Sequence, residues 1–165
     1  LDNVIIGMHA LSPPSVLQAL LLWGRTRREL RLAAERAERI LQSVGGNLYE
    51  QRYRLAEELA QADRRRLEVA RALAGEPKLL LLDEPTAGMD DRDTDALIED
   101  IRRIRRDRPQ LAIVVVEHDM RLVAALPERV AVLDYGRKIA ESVFDEIRLN
   151  PWVQEAYLGS TTIDD

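Results

Sequence analysis

Asp83 and Glu84 are adjacent carboxylates that directly follow four leucines, in the stretch KLLLLDEPTAGMD at residues 78–90. Such a pair can divide the work of phosphoryl transfer. One carboxylate, held by a rigid strand, binds Mg2+ directly or through water, while its neighbour polarises an attacking water. The pair can equally do no more than cap the following turn, because strand ends commonly carry polar turn residues. A second pair, Glu117 and His118, follows the apolar run LAIVVV at residues 111–116. A histidine there can donate a hydrogen bond to a transferring phosphate or serve structure alone. His9, the other of the two histidines, has no acid or second ligand nearby and reads as a surface or packing residue.

For the two pairs to meet, the two apolar runs must be strands of one sheet. Residues 79–82 show no polar alternation, which suits a short parallel strand covered on both faces. Pro85 offers no ladder donor and closes it. LAIVVV is rich in β-branched residues, as strands favour. Between them, Asp90, Asp91, Asp93 and Asp95 load a helix start with the negative charge its dipole favours. Leu97, Ile98, Ile101 and Ile104 give that helix a buried stripe, and it ends before Pro109. Strand, helix, strand implies a right-handed crossover and parallel pairing. Asp83, Glu84, Glu117 and His118 then share one sheet edge, where open α/β sheets place ligands.

Upstream the chain reads as helical. Residues 1–10 look like a helix end or connector, broken by Ser12, Pro13, Pro14 and Ser15. A short apolar helix is expected over 15–22, ended by Trp23 and Gly24, then a longer one over about 26–44. Leu30, Ala33, Ala37, Ile40, Leu41 and Val44 form the inner stripe of the longer helix, and Gly45 with Gly46 stops it. A break near residues 60–63 leads into another helix, with Asp63 as its N-cap and Leu67, Ala70 and Leu73 facing inward. Downstream come a short helix at 120–126, a hairpin turning at Tyr135 and Gly136, and two terminal helices. The last of these runs from Pro151 to Leu158 and packs through Trp152 and Tyr157; residues 160–165 read as a frayed tail. The fold class is α/β, with an α-helical subdomain over residues 1–75 and an α/β core portion over 76–165.

With 165 residues, 46% hydrophobic and 32% charged, the chain has the composition of a soluble globular domain with a real core. A net charge of -5 argues against general nucleic-acid affinity. No apolar stretch approaches the roughly 20 residues that span a bilayer, and the first residues do not read as a signal peptide. Zero cysteines exclude disulfides and thiolate metal sites. Arginines crowd residues 25–71 and acids crowd 83–100, which marks either a basic partner surface or solvated helix faces. The chain begins with Leu1, and an initiator methionine is rarely trimmed before a large residue, so further polypeptide is expected upstream.

In their order these pieces resemble the C-terminal two-thirds of an ATP-binding cassette (ABC) ATPase, the nucleotide-binding subunit of ABC transporters. LLLLDEP is similar to the Walker B strand with its catalytic glutamate, AGMD to the D-loop, EHDM to the switch-histidine loop, and VLDYGRKIAE to the hairpin that comes next. DRRRLEVARALAGEPKLLLLDEPTAGMD and NPWVQEAYLG look most like the subunits that energise branched-chain amino-acid uptake. The resemblance implies a partial P-loop NTPase fold with ATP and Mg2+ as cofactors. Asp83 would be the Mg2+ partner, Glu84 the base that activates water, His118 the γ-phosphate contact, and Asp90 a residue acting across a dimer interface. It also implies membrane-spanning permease subunits as partners of the helical unit before Ala60, and a second ATP-binding subunit, identical or not. Such an assembly works at the cytoplasmic face of the cell membrane, without nucleic acid.

Two departures qualify this implication. No GxxxxGK[ST] occurs, although that loop supplies the amide cradle and lysine for the phosphates, and Lys78 precedes a strand and so cannot replace it. The family's glutamine loop is absent too, since Leu1, Asp2, Asn3 and Val4 resemble the residues just after that loop. A chain without these parts cannot complete an ATP site alone, and it should expose apolar sheet surface. The signature, typically LSGGQ, reads Leu59, Ala60, Gln61, Ala62, Asp63. The serine hydroxyl and both glycines are gone, and Asp63 puts negative charge at a helix start meant for the opposing subunit's γ-phosphate. A weakly binding, degenerate site is therefore expected. Two other readings remain: a non-catalytic ABC-like binding or regulatory module, and the C-terminal half of a chromosome-maintenance-type head, although no sustained heptad precedes Ala60.

Overall fold

The computed structural model of the protein describes residues 1–8 and 23–158. His9, the helix expected over 15–22 and the tail at 160–165 lie outside the described residues, as does the Tyr157 side chain. The chain divides into two compact units, Leu1–Glu117 and His118–Asp165.

The first unit holds helices α1 (Asp2–Gly7), α2 (Trp23–Ser43), α3 (Gln61–Ala74) and α4 (Asp91–Asp107), a single 3-10 turn at Ala56–Glu58, and strands β1 (Leu79–Asp83) and β2 (Ala112–Val116). Its core is aliphatic. Ala37, Ile40 and Leu41 of α2, Val69, Ala70 and Leu73 of α3, and Leu97, Ile98, Ile101 and Ile104 of α4 are all buried, and α1 docks on α3 through the fully enclosed Val4. The stripe read for α4 is thus the one the structure buries. For α2 the stripe holds only in part. Leu30 is 57% exposed, so the covered face begins near Ala37, and residues 23–25 are already helical, ahead of the expected start at about residue 26. Gly24 does not end a helix there; one glycine lowers helix propensity by only about 1 kcal/mol.

Helix α3 also differs from expectation. It begins at Gln61 with Ala60 as N-cap, so Asp63 is a third-position residue and not the cap. That offset turns Ala62, Asp63, Arg66, Val69, Ala70, Leu73 and Ala74 inward and leaves Leu67 half-buried.

β1 and β2 pair in parallel, with Leu79 opposite Ala112, Leu81 opposite Val114 and Asp83 opposite Val116. The expectation that β1 is covered on both faces is wrong for this chain. Leu80 and Leu82 are buried, whereas Leu79, Leu81, Val114 and Val116 are 49–68% exposed. The register puts those four residues on one face, so a continuous aliphatic sheet face lies bare.

The second unit contains α5 (Met120–Ala125), the antiparallel pair β3 (Val130–Asp134) and β4 (Arg137–Ser142), α6 (Phe144–Ile147) and α7 (Pro151–Leu158). Tyr135 and Gly136 turn the hairpin with φ of 44° and 77°, both in the left-handed region that a tight two-residue loop demands. Trp152 does not pack as expected; it is 71% exposed, and Ile147 and Val153 make the buried contacts instead. Among the described residues no helix is long and apolar enough to cross a membrane.

Candidate functional site

β1 ends on Asp83, whose exposed side chain stands on the bare sheet face beside Leu81 and Val116. Glu84 takes φ of 43°, a left-handed conformation that a non-glycine residue adopts at a cost of order 1–3 kcal/mol. Its N–H still donates to the Val116 carbonyl at 2.9 Å, so the ladder continues through Glu84 before the chain swings out of the sheet. The exposed Glu84 side chain is thereby set on a turn, anchored by the buried Pro85 and Thr86.

Residues 84–90 are tightly folded. The Ala87 N–H donates to the Glu84 carbonyl at 3.1 Å and the Met89 N–H to that of Thr86 at 3.0 Å, and Gly88 supplies φ of 74°. Asp90 closes the segment as the N-cap of α4, its carboxylate accepting the Asp93 N–H at 2.8 Å. Two side chains from elsewhere in the unit grip the middle. Glu117 accepts the Thr86 N–H at 3.0 Å and the Thr86 hydroxyl, and the Gln61 amide donates to the Ala87 carbonyl at 2.7 Å.

The other acidic cluster of this unit faces inward. Asp63 accepts from Gln51 at 2.9 Å and from Arg66 at 3.3 Å; Asp100 accepts from Arg66 at 2.7 Å and from Arg103 at 2.8 Å. Burial disfavours the Arg66 charge, but its hydrogen bond and ion pair with Asp100, then its pairing with Asp63, hold its pKa above the ordinary value. Gly46, at φ of 64°, lies so close that a Cβ would stand 2.6 Å from an Asp63 oxygen, so the 45–46 stop also makes room for the cluster.

Asp83, Glu84, Asp90 and Gln61 thus come together around one turn, and Ala60 lies exposed at the uncapped start of α3. Ala62 is buried, and Asp63 directs its charge into the unit instead of out of the helix start. His118 opens the second unit as an exposed residue two positions past β2. Thr86 has no role that the sequence alone would assign, and Glu117 stands out there only as a neighbour of His118. The signal available for both was a hydroxyl and a carboxylate immediately past the ends of two paired strands. Among the described residues no three His, Asp or Glu side chains cluster as a metal cage. Asp83 suits Mg2+ nonetheless, since that ion commonly takes one or two carboxylates and completes its shell with water and phosphate oxygens.

Comparison with known proteins gives this geometry a context. The ABC transporter family profile matches residues 10–87. The chain is 36% identical over 159 residues to the high-affinity branched-chain amino acid transport ATP-binding protein LivG of Escherichia coli K12, covering 96% of this chain and 61% of LivG. By these matches the chain is similar to ABC transporter ATP-binding proteins. It is also 35% identical over 158 residues to BraF of Pseudomonas aeruginosa, named for the same transport, at 96% and 61% coverage. A solved ATP-binding cassette of an ABC transporter in its ADP conformation superposes with a TM-score of 0.74 at 25% identity, over 96% of this chain and 61% of that one. A nucleotide-free cassette shares the fold with a TM-score of 0.75 at 24% identity, over 96% of this chain and 62% of that one. The chain therefore has an ABC ATPase α/β fold and spans about 61% of the length of the curated relatives LivG and BraF.

Proposed function

We propose that this chain is the Walker B, signature and switch portion of an ATP-hydrolysing subunit that drives amino-acid import, with the phosphate-binding loop supplied by polypeptide outside the present sequence. The observation that carries the reading is the pairing of exposed Asp83 with exposed, backbone-strained Glu84 at the end of β1, because such strain clusters where geometry serves chemistry. ATP, when bound, supplies the phosphoanhydride that reacts, and Mg2+ neutralises its oxygens. Asp83 orients the ion or its water. Glu84 accepts a proton from the attacking water, which its turn presents clear of the sheet. His118 donates a hydrogen bond to the transferring phosphate, and Asp90 meets the second subunit.

The uncapped start of α3, at the exposed Ala60, faces the partner's nucleotide; helix starts attract phosphate. Because Arg66 offsets the charge of Asp63, the weakness of this signature lies in its lost hydroxyl and glycines. The bare face of β1 and β2 is where the missing strand and loop pack. The basic helices before Ala60 face permease subunits at the cytoplasmic side of the membrane.

The test is Glu84→Gln in the polypeptide as its source makes it, assembled with its membrane partners. Turnover is expected to fall by about 10²–10⁴-fold with ATP binding retained; unchanged turnover removes Glu84 from the mechanism. The absence of GxxxxGK[ST] favours one second reading, a regulatory module without catalysis. Under that reading the native polypeptide neither binds nor hydrolyses ATP.

A further inference from the structure

Two side chains distant in sequence converge on consecutive residues of the turn that begins at Glu84. Gln61, the first residue of α3, donates to the carbonyl of Ala87, and Glu117, one residue past β2, accepts both the amide and the hydroxyl of Thr86. Gly88 is shaped to this arrangement, because a Cβ on it would collide with the Gln61 amide nitrogen. Neither grip is needed for the sheet, whose ladder is complete through the bond from Glu84 to Val116. Neither caps a helix: the start of α3 has no side-chain cap although Gln61 stands there. A residue at φ of 43° relaxes toward ordinary backbone unless its surroundings over-determine it. The two side chains that hold Thr86 and Ala87 add to the turn's own hydrogen bonds, from Ala87 to Glu84 and from Glu84 to Val116, in doing so.

We propose that Gln61 and Glu117 are positioning residues which clasp residues 84–90, so that Glu84 is held in its reactive orientation and the start of α3 moves together with that turn. This assigns Gln61 to the turn of its own chain instead of to nucleotide. It rests on the reading of Glu84 as the base.

The clasp is testable in the native polypeptide, assembled with its membrane partners, by steady-state ATP hydrolysis and by amide exchange at Thr86. Gln61→Glu keeps the shape but turns the donor into an acceptor facing a carbonyl. Glu117→Ala removes the acceptor, and Glu117→Gln keeps an oxygen able to accept both Thr86 bonds. Gln61→Glu and Glu117→Ala are each expected to lower kcat by about 10- to 100-fold, the size expected from an ångström-scale misplacement. KM for ATP should stay within about twofold. Glu117→Ala also deprotects the Thr86 amide, and Glu117→Gln restores most of both signals. If Glu117→Ala does not fold, Gln61→Glu against Glu117→Gln carries the comparison.

Normal kcat in Gln61→Glu, or in Glu117→Ala with Thr86 deprotected, overturns the proposal, as does protection that survives Glu117→Ala. A raised KM at constant kcat in Gln61→Glu overturns it in favour of direct nucleotide contact. Glu84→Gln is measured in parallel. If it turns over like the wild type, the base assignment has failed and the positioning role fails with it, while Thr86 exchange reports separately on whether the clasp forms.

Discussion

The first unit uses acidic side chains in two opposite ways. Asp63 and Asp100 are buried and have every carboxylate oxygen paired, with Arg66 shared between them. Asp83 and Glu84 are exposed at a strand end, and Glu84 stands on a backbone conformation that side chains avoid. A satisfied, enclosed carboxylate is committed to holding helices together, because any change in its charge or direction strands a partner in low dielectric. An exposed carboxylate on a strained turn is placed by its backbone and stays accessible to solvent. Position near the start of α3 does not by itself set the direction of a carboxylate: Asp63 lies there and pairs inward with Gln51 and Arg66.

The contrast is broken most severely by Arg66→Leu. It leaves Asp63 and Asp100 short of their shared cation, and a loss of about 3–5 kcal/mol in unfolding free energy is expected by denaturant titration. Wild-type stability in that variant would mean the inward cluster carries no structural weight. Glu84→Gly sharpens the other side. Glycine accepts φ of 43° without strain, so the variant should lose turnover yet keep or gain up to about 1 kcal/mol of stability. A drop in stability comparable to that of Arg66→Leu would erase the distinction.

A surface acid supplies the reference at the small end. Glu141 is held below the usual carboxylate range by a hydrogen bond from Lys138, then by the charges of Lys138 and Arg129. Since its folded pKa is the lower one, its contribution is present above the ordinary glutamate value of about 4.3 and disappears as pH falls through the folded value. Glu141→Gln should therefore differ slightly from wild type at neutral pH and converge with it in acid, as thermal melts across that range would record.

Much of the fold was legible because it is written in local periodicity. The stripe Leu97, Ile98, Ile101 and Ile104, the acidic start of α4, the β-branched second strand and the turn at Tyr135 and Gly136 each depend on residues a few positions apart. The placement of Asp83 and Glu84 at a strand end came from the same signals. The start of α3 is misread by three residues because Asp63 looks like a cap, and the strong cap residue lost to the geometry in which its side chain reaches Arg66 one turn on.

By itself, then, the sequence determined the order of strand, helix and strand and the residues standing at the strand ends, because hydrophobic period and turn chemistry act within a few residues. Tertiary structure alone decided which acids turn inward, which sheet face lies bare, and that Gln61 and Glu117 meet on neighbouring residues of one turn. Those outcomes depend on partners up to 34 positions away along the chain, and a side chain's choice among distant partners is made only when packing brings them within hydrogen-bonding reach.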